Sequence, residues 1–132
     1  MNKVAVIDDS TVVRKIVEIS LRRIGITCIS YEDGFEALSE FKKGQSPIPD
    51  LIFLDIGLPK IDGYDLLRLF KTSPQFDRTV VVMLSGHDRV LDRVKSRLAG
   101  ARGYITKPFT TQDLVSVVLS CLDQPSREAS LN

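Results

Sequence analysis

Four consecutive apolar residues stop on an aspartate in the stretch Asp50-Leu51-Ile52-Phe53-Leu54-Asp55. An apolar run of this length, without alternation, is typical of a strand covered on both faces, as in a parallel sheet. The same pattern occurs in Lys3 to Ile7, which Asp8 follows, and in Thr79 to Leu84, which Ser85 follows. These stretches therefore predict three inner strands of one parallel sheet.

Segments with helical spacing lie between these runs. Two further strands are predicted, and a helix follows each of the five strands. The added strands are Ile26 to Ser30 and Gly103 to Thr106; the helices start after Asp9 or Ser10 and end at Gly25, run from Asp33-Gly34 to Lys43-Gly44, follow Asp62-Gly63 through Phe70, run from about His87 to Ala99, and run from Thr110 to near Leu122. This order predicts an α/β fold in which five helices cover both faces of a doubly wound parallel sheet.

The fourth and fifth predicted helices differ in how their apolar residues are arranged. The fourth carries Val90, Leu91, Val94 and Leu98 on one side. The fifth is apolar around most of its girth, with Leu114, Val115, Val117, Val118, Leu119, Cys121 and Leu122. Either a docking or dimer surface or a deeply packed terminal helix would account for the fifth helix.

Composition excludes several classes of protein. The chain has 132 residues, of which 43% are apolar, so one domain with a sizeable core is expected. Its 18 basic and 17 acidic residues leave a net charge of +1, which argues against nucleic-acid binding by this chain alone. No apolar run is long enough to cross a bilayer or to form a signal peptide. Cys28 and Cys121 are far apart and lie in apolar contexts, as expected of free thiols in the cytoplasm.

The carboxyl ends of the predicted strands bring five polar residues to one edge of the sheet. They are Asp8, Asp9, Asp55, Ser85 and Lys107. Three neighbouring carboxylates repel one another unless a cation lies among them. Because the ligands are oxygen atoms and no histidine or cysteine is near, the expected cation is Mg²⁺.

The same edge has the groups needed for phosphoryl chemistry. A carboxylate can act as the nucleophile, while Lys107 and Ser85 can contact phosphoryl oxygens. A dinucleotide site is excluded because the first strand is followed by Asp8-Asp9-Ser10-Thr11, where such a site needs glycines. Each residue alone has an ordinary structural explanation, such as a helix cap for Asp9; their convergence is what indicates a site.

The chain resembles the CheY-like receiver domain of two-component response regulators from Val4 to about Leu122. The stretches that carry the resemblance are Val6-Ile7-Asp8-Asp9-Ser10, Leu54-Asp55-Ile56-Gly57-Leu58-Pro59, Asp62-Gly63, Met83-Leu84-Ser85-Gly86 and Tyr104-Ile105-Thr106-Lys107-Pro108-Phe109. Together and in this order they are highly specific. The resemblance implies a flavodoxin-like sheet with strand order 2-1-3-4-5.

The resemblance also implies roles for the residues that match its motifs. Asp55 would be the phosphoacceptor, taking a phosphoryl group from a phosphohistidine on a sensor histidine kinase or phosphotransfer protein. Asp9, Asp55 and the main-chain carbonyl of Gly57 would hold Mg²⁺, with Asp8 acting through a coordinated water. On this basis the chain is a signalling switch and not an enzyme.

Further residues are assigned to the phosphoryl group and to the switch. Ser85 and Lys107 would contact phosphoryl oxygens, and the Lys107–Pro108 peptide bond would be cis. Tyr104 would rotate inward as Ser85 moves towards the phosphoryl group. The face formed by the fourth helix, fifth strand and fifth helix would then change for an unknown downstream protein, or for a phosphorylation-dependent homodimer.

Small residues beside the predicted phosphorylation site suggest a property of this chain. Gly57 and Gly86 place no side chain next to Asp55, and His87 follows directly. We hypothesise that water reaches the acyl phosphate and shortens its lifetime. For His87 itself, a solvated position at the start of a helix is the simpler interpretation.

Several alternatives fit the same residues. The receiver, residues 1–123 with a polar tail at 124–132, could act alone or be the receiver of a longer regulator with an output domain. A Mg²⁺-dependent phosphohydrolase with an aspartyl nucleophile is disfavoured because it needs Asp-x-Asp after the first strand. A constitutive binding module would not need the complete set of five site residues. Parts of the sequence are similar to regulators of type IV pilus twitching motility, and a chemotaxis pathway fits equally.

Overall fold

The computed structural model describes residues 3–122, so the predicted polar tail lies outside the described residues. Five parallel strands form one sheet in the order 2-1-3-4-5. Strands and helices alternate along the chain as β1 Lys3–Ile7, α1 Thr11–Arg22, β2 Thr27–Tyr31, α2 Gly34–Lys42, β3 Leu51–Asp55, α3 Gly63–Thr72, β4 Val80–Ser85, α4 Val90–Leu98, β5 Gly103–Thr106 and α5 Thr111–Leu122. The predicted fold class and strand order are confirmed.

The central strands are buried because both faces of the sheet are covered. In β1, Val4 and Val6 contribute to a core shared with α1 and α5, whereas Ala5 and Ile7 contribute to a core on the opposite face. Every residue of β3 is buried. This two-sided burial is why the strand sequences are continuous apolar runs.

Aromatic side chains fill much of the core on the side of α2 and α3. Phe41 contacts Tyr31, Phe70 and Phe76 in edge-to-face geometry, with ring centroids 5.4 to 6.4 Å apart. Phe76 comes from a 3₁₀ turn, Pro74–Phe76, which the sequence pattern did not predict. Three residues are too few to show a helical period, so this turn has no signal of its own.

Several element boundaries differ from the predicted ones, including both ends of β4, which is Val80–Ser85 and not Thr79 to Leu84. The second strand begins and ends one residue later than expected, since Tyr31 is the last residue of β2 and is buried. The fourth helix begins at Val90 and not near His87, and its N-cap residue Arg89 makes no side-chain capping bond. The residues just before Val90 are not helical, and the carbonyl of His87 instead accepts a hydrogen bond from the Tyr104 hydroxyl on β5 at 2.6 Å.

Helices α4 and α5 differ in their packing. On α5, Leu114, Val118 and Cys121 are buried, and Leu119 is half exposed. Packing therefore accounts for most of the apolar surface of α5. On α4 the predicted apolar side does form, but it faces away from the sheet.

No helix within residues 3–122 is long and apolar enough to cross a membrane.

Candidate functional site

Three carboxylates meet at the carboxyl edge of the sheet, where the sequence placed them. Asp8 follows β1, Asp9 is next to it, and Asp55 is the last residue of β3. One oxygen from each lies within 4.8 Å of the others. Asp8 is fully buried, Asp55 is buried, and Asp9 is exposed. The site is thus a pocket of negative charge with one side open to solvent.

Lys107 supplies the positive charge of the pocket. Its Nζ lies 2.7 Å from Oδ2 of Asp8 and 3.3 Å from Oδ1 of Asp55. The main-chain N–H of Lys107 donates to the carbonyl of Ser85 at 2.6 Å, which ties the end of β5 to the end of β4. The Lys107–Pro108 peptide bond is cis. The lysine therefore bridges the two buried carboxylates.

These neighbours disfavour the charged form of Asp55 and favour the charged form of Lys107. Burial and the negative charge of Asp8 raise the pKa of Asp55, although Lys107 and a hydrogen bond from Gly57 partly offset this. Burial alone would lower the pKa of Lys107, but the hydrogen bond to Asp8 and the charges of Asp55 and Asp8 outweigh it, so the pKa is raised. Lys107 therefore stays a cation, whereas the negative charge of Asp55 is only partly balanced by its neighbours.

Asp8 is fixed more firmly than its neighbours. Its Oδ1 accepts the main-chain N–H of Ser10 at 2.9 Å, and its carbonyl accepts a hydrogen bond from the Arg14 guanidinium at 2.7 Å. Arg14 was not among the predicted site residues. Its signal was its position on the first turn of α1, four residues after the N-cap Ser10, where a side chain can reach back to the strand end. Asp8 is thereby kept in one orientation.

The loop after β3 sets the position of Asp55. The main-chain N–H of Gly57 donates to Oδ1 of Asp55 at 3.1 Å. Gly63 packs so closely that a Cβ there would lie 2.5 Å from the carbonyl oxygen of Asp55 and 2.7 Å from the Cα of Ile56. The Asp62-Gly63 pair is therefore a close backbone contact beneath the phosphoacceptor candidate, besides being the start of α3.

Ser85 and Tyr104 both contact the loop that connects β4 to α4. Leu84 is the β4 residue in register with Asp55, and Ser85 is the next residue. Ser85 Oγ accepts the main-chain N–H of His87 at 3.0 Å, while the Tyr104 hydroxyl donates to the His87 carbonyl. The Arg93 guanidinium lies over the Tyr104 ring, 4.8 Å from its centroid. One short loop thus joins the acidic edge to α4.

The donor set fits a small divalent cation. Oxygen atoms alone face the pocket, and Asp9 has an exposed carboxylate. Oδ1 of Asp8 accepts the main-chain N–H of Ser10, and Oδ2 forms an ion pair with Lys107. Gly57 is exposed beside Asp55. A divalent cation would also offset the charge that raises the pKa of Asp55.

Comparison with known proteins agrees with this geometry. Residues 4–119 match the response regulator receiver domain family. Protein PilG of Pseudomonas aeruginosa is 39% identical over 116 residues, which are 88% of this chain and 84% of PilG. A probable transcriptional regulator, ycf27 of Porphyridium aerugineum, is 36% identical over 98% of this chain but only 52% of its own length. The chain therefore spans about half of some relatives and most of others.

A solved structure shows the same fold. The chemotaxis response regulator CheY4 of Vibrio cholerae superposes with a TM-score of 0.82 and is 27% identical. The match covers 92% of this chain and 98% of that one.

Proposed function

Because the chain belongs to the response regulator receiver family and has the CheY-like fold, we propose that it accepts a phosphoryl group on Asp55 in a Mg²⁺-dependent reaction. Receiver domains interact with histidine kinases and bind Mg²⁺ at an acidic pocket. The donor in our proposal is a phosphohistidine on a sensor histidine kinase or a phosphotransfer protein. The chain is then a signalling switch that assists its own phosphorylation and dephosphorylation.

One observation carries this proposal. Asp55 is buried, and its carboxylate shares the Lys107 ammonium group with Asp8. Asp9 completes a triad in which one carboxylate oxygen of each residue lies within 4.8 Å of the others. A nucleophilic carboxylate, a fixed cation and an acidic metal pocket are the parts that phosphoryl transfer to aspartate needs. Within residues 3–122, this is the only group of three or more aspartate, glutamate, histidine or cysteine side chains that lie close enough to hold a metal ion.

The transfer exchanges one bond to phosphorus for another. An Oδ of Asp55 attacks phosphorus in line with the phosphohistidine nitrogen, and the P–N bond breaks with its electrons going to the imidazole. Lys107, held as a cation, faces the added negative charge and pairs with a phosphoryl oxygen. Asp8 holds Lys107 in place through the 2.7 Å ion pair, which makes Asp8 a positioning residue for this step.

Asp9, Asp55 and the carbonyl of Gly57 would hold the metal, with Asp8 acting through water. When bound, Mg²⁺ neutralises charge on the phosphoryl oxygens and so lowers the barrier to attack by a carboxylate. The raised pKa of Asp55 supports this assignment, since an added cation would relieve the repulsion from Asp8.

Switching follows from the loop between β4 and α4. Ser85 Oγ accepts the main-chain N–H of His87, so a movement of Ser85 towards a phosphoryl oxygen, to which its hydroxyl can donate, would carry this loop with it. The His87 carbonyl is the acceptor for Tyr104, so the same movement changes the position of Tyr104 and of the face formed by α4, β5 and α5. The added charge of a phosphoryl group on Asp55 would in this way change the surface formed by α4, β5 and α5.

The cellular setting is part of the proposal. Burial and the charge of Glu18 raise the pKa of the Cys28 thiol to about 12, and neither Cys28 nor Cys121 forms a disulfide. Unreactive free thiols suit the cytoplasm, where kinases have access to ATP. Similarity to the chemotaxis response regulator CheY4 supports a place in a chemotaxis pathway or another phosphorelay.

Intact-mass spectrometry after incubation with acetyl phosphate tests the proposal. We expect the wild type to gain one phosphoryl group with Mg²⁺ and none with EDTA, and Asp55→Asn to gain none. Asp65→Asn is the matched control, because Asp65 is an exposed carboxylate on α3 that pairs with Arg68.

The alternatives give different results. Phosphorylation of Asp55→Asn at the wild-type rate would show that another residue is the acceptor. No gain by any variant, together with no detectable Mg²⁺ binding, would instead identify a constitutive binding module.

A further inference from the structure

An apolar groove lies at the amino edge of the sheet, at the opposite end of the strands from the acidic site. Its volume is about 460 Å³, which is in the size range of sites that bind ligands. Lys3 is its charged residue, and its large apolar side chains are those of Ile24, Ile26, Ile29, Pro47 and Leu119. We refer to this feature as the amino-edge groove.

The turn between α1 and β2 leaves the apolar side chains of the groove open to solvent. Gly25 has a φ of +79°, which lets the chain leave α1 and enter β2 within a few residues. Ile24 is 39% exposed at this turn, and Leu119 of α5 is 52% exposed across from it. The groove therefore has apolar surface that the described part of the chain does not cover.

Basic residues are concentrated at the amino edge. We counted the first residue of β1, the last four residues of α1 to α4, and the segments that lead from these helices to the next strands. They contain ten basic residues and three acidic ones, Glu40, Asp50 and Asp77. The helix dipole favours basic residues in a last turn, but five of the ten lie outside the helices. The amino edge is therefore positive, although the whole chain has a net charge of only +1.

Three of these cations are next to the groove. Lys3 lines it, and Arg22 and Arg23 directly precede Ile24 and are exposed. Within residues 3–122, none of the three side chains forms an ion pair. The carboxylate at this position is that of Asp50, whose Oδ2 accepts the main-chain N–H of Lys3 at 2.7 Å. The rim of the groove is thus positively charged.

We infer that the amino-edge groove binds an extended acidic segment of a partner protein. Apolar side chains of the segment enter the groove, and its carboxylates face Lys3, Arg22 and Arg23. An extended segment suits this position because β2 is at the edge of the sheet, and alternate side chains of an extended segment face the same direction. Complementary charge on the rim steers and orients the segment.

This surface is separate from the acidic site and from the face that the proposed function changes. No lining residue of the groove comes from α4 or β5. Along β1, Lys3 and Asp8 are separated by roughly 16 Å at 3.3 Å per residue. Binding in the groove is therefore independent of phosphorylation, and a partner can hold the chain there while the opposite edge reacts. The inference goes beyond the proposed function and does not depend on it.

The shape and composition of the groove argue against other occupants. Among the described residues, no aromatic side chain lines it, so it offers nothing for the bases of a nucleic acid to stack on. Its apolar side chains line a concave surface, whereas insertion into a membrane needs apolar side chains that project. A symmetric contact with a second copy would bring two basic edges together, which is unfavourable.

Fluorescence anisotropy with designed peptides tests the partner's chemistry. The full chain is titrated into a labelled short peptide that has two leucines separated by one residue, and glutamate elsewhere. A second peptide has lysine in place of glutamate. We expect the acidic peptide to bind at least about tenfold more tightly, and the difference to shrink as salt is raised. We also expect the same affinity with and without beryllofluoride and Mg²⁺. Equal binding of the two peptides, preference for the lysine peptide, or binding that needs beryllofluoride would overturn the inference.

Substitutions of exposed side chains locate the binding surface. The double variant Ile24→Ser with Leu119→Ser is expected to weaken acidic-peptide binding about tenfold or more. Val12→Ser is the matched control, since Val12 is 67% exposed at the other end of α1. Arg23→Glu is expected to reduce the preference for glutamate, whereas Arg89→Glu, an exposed arginine at the opposite edge, is expected to leave it unchanged. If the controls act as strongly as the groove variants, the groove is not the site. Circular dichroism and thermal unfolding check that each variant is folded.

Three further measurements distinguish the other occupants. The chain's own residues 123–132 contain one large apolar residue, Leu131. If Leu131→Ser tightens peptide binding, this segment competes for the groove. Sedimentation velocity that shows association abolished by the double variant would favour a second copy. Co-sedimentation with phosphatidylserine vesicles, lost in the same variant, would favour a membrane. Any of these results overturns the inference.

Discussion

The acidic edge of the sheet and helix α4 are joined by one short loop but are built in opposite ways. Asp8 and Asp55 are buried, and ion pairs of 2.7 and 3.3 Å fix both to Lys107. In α4 the large apolar residues are exposed, and hydrogen bonds attach the helix to its neighbours. A rigid site next to a lightly held helix lets a local change of charge bias the position of the helix, because little packing opposes the movement.

The clearest way to test whether α4 is lightly packed is to truncate one leucine of the buried core and one exposed leucine of α4. Leu67 is fully buried in α3, so Leu67→Ala is expected to lower the free energy of unfolding by about 3 kcal/mol through lost burial and a cavity. Leu98→Ala on α4 is expected to change it by less than about 0.5 kcal/mol. Urea denaturation measures both. A large loss for Leu98→Ala would mean that the outward side of α4 is packed against the protein.

The role of the Lys107 ammonium group can be tested next. Lys107→Met removes the charge and keeps much of the aliphatic stem, and we expect phosphorylation by acetyl phosphate to slow about 100-fold. Lys60→Met is the control, because Lys60 is exposed and forms a surface ion pair with Asp33. Rates come from intact mass against time. Similar rates for both variants would show that Lys107 only stabilises the fold.

A smaller effect is expected at the contact between α3 and α4. Tyr64→Phe removes the hydroxyl that donates to Asp92, which should cost about 1 kcal/mol of unfolding free energy. It should also speed amide exchange in α4 more than in α5. Tyr31→Phe is the control, since its hydroxyl bonds to Ser46, remote from α4. Unchanged exchange in α4 would mean that other contacts hold this helix.

The smallest effect concerns the lifetime of the phosphorylated state. A Cβ at Gly86 would meet no atom within 4 Å, and one at Gly57 would approach only Oδ1 of Asp55, at 3.8 Å. The site is therefore open to water on this side. We expect Gly57→Asn or Gly86→Ala to lengthen the half-life of phospho-Asp55 a few-fold. This corresponds to an increase of about 1 kcal/mol or less in the activation free energy of hydrolysis. If neither substitution lengthens the half-life, shielding by these positions does not limit hydrolysis.

The sequence was sufficient to predict the sheet and the residues at its carboxyl edge. A strand covered on both faces must be apolar throughout, so the ends of those runs locate Asp8, Asp55 and Ser85 directly. Lys107 follows a shorter strand and was located by the same rule. Agreement is close here because burial on both faces acts on the local sequence of each strand, whereas the strand order was implied by the resemblance to receiver domains.

Longer-range contacts explain what the sequence could not show. Helical spacing grouped Val90, Leu91, Val94 and Leu98, but it carries no information on which way that side faces; contacts of Asp92 with α3 decide this. The start of α4 is displaced because Tyr104, 17 residues away, bonds to the His87 carbonyl. Arg14 was missed for a different reason: its acceptor is a main-chain carbonyl only six residues away, and a main-chain acceptor does not depend on the residue type at that position.

Hydrogen–deuterium exchange tests most directly whether the acidic edge controls α4. The full chain is compared with and without beryllofluoride and Mg²⁺, using Asp55→Asn as the control. The account predicts altered exchange in residues 86–98 of the wild type, little change in β3, and no change anywhere in Asp55→Asn. Altered exchange confined to the loop after Asp55, with residues 86–98 unaffected, would contradict it.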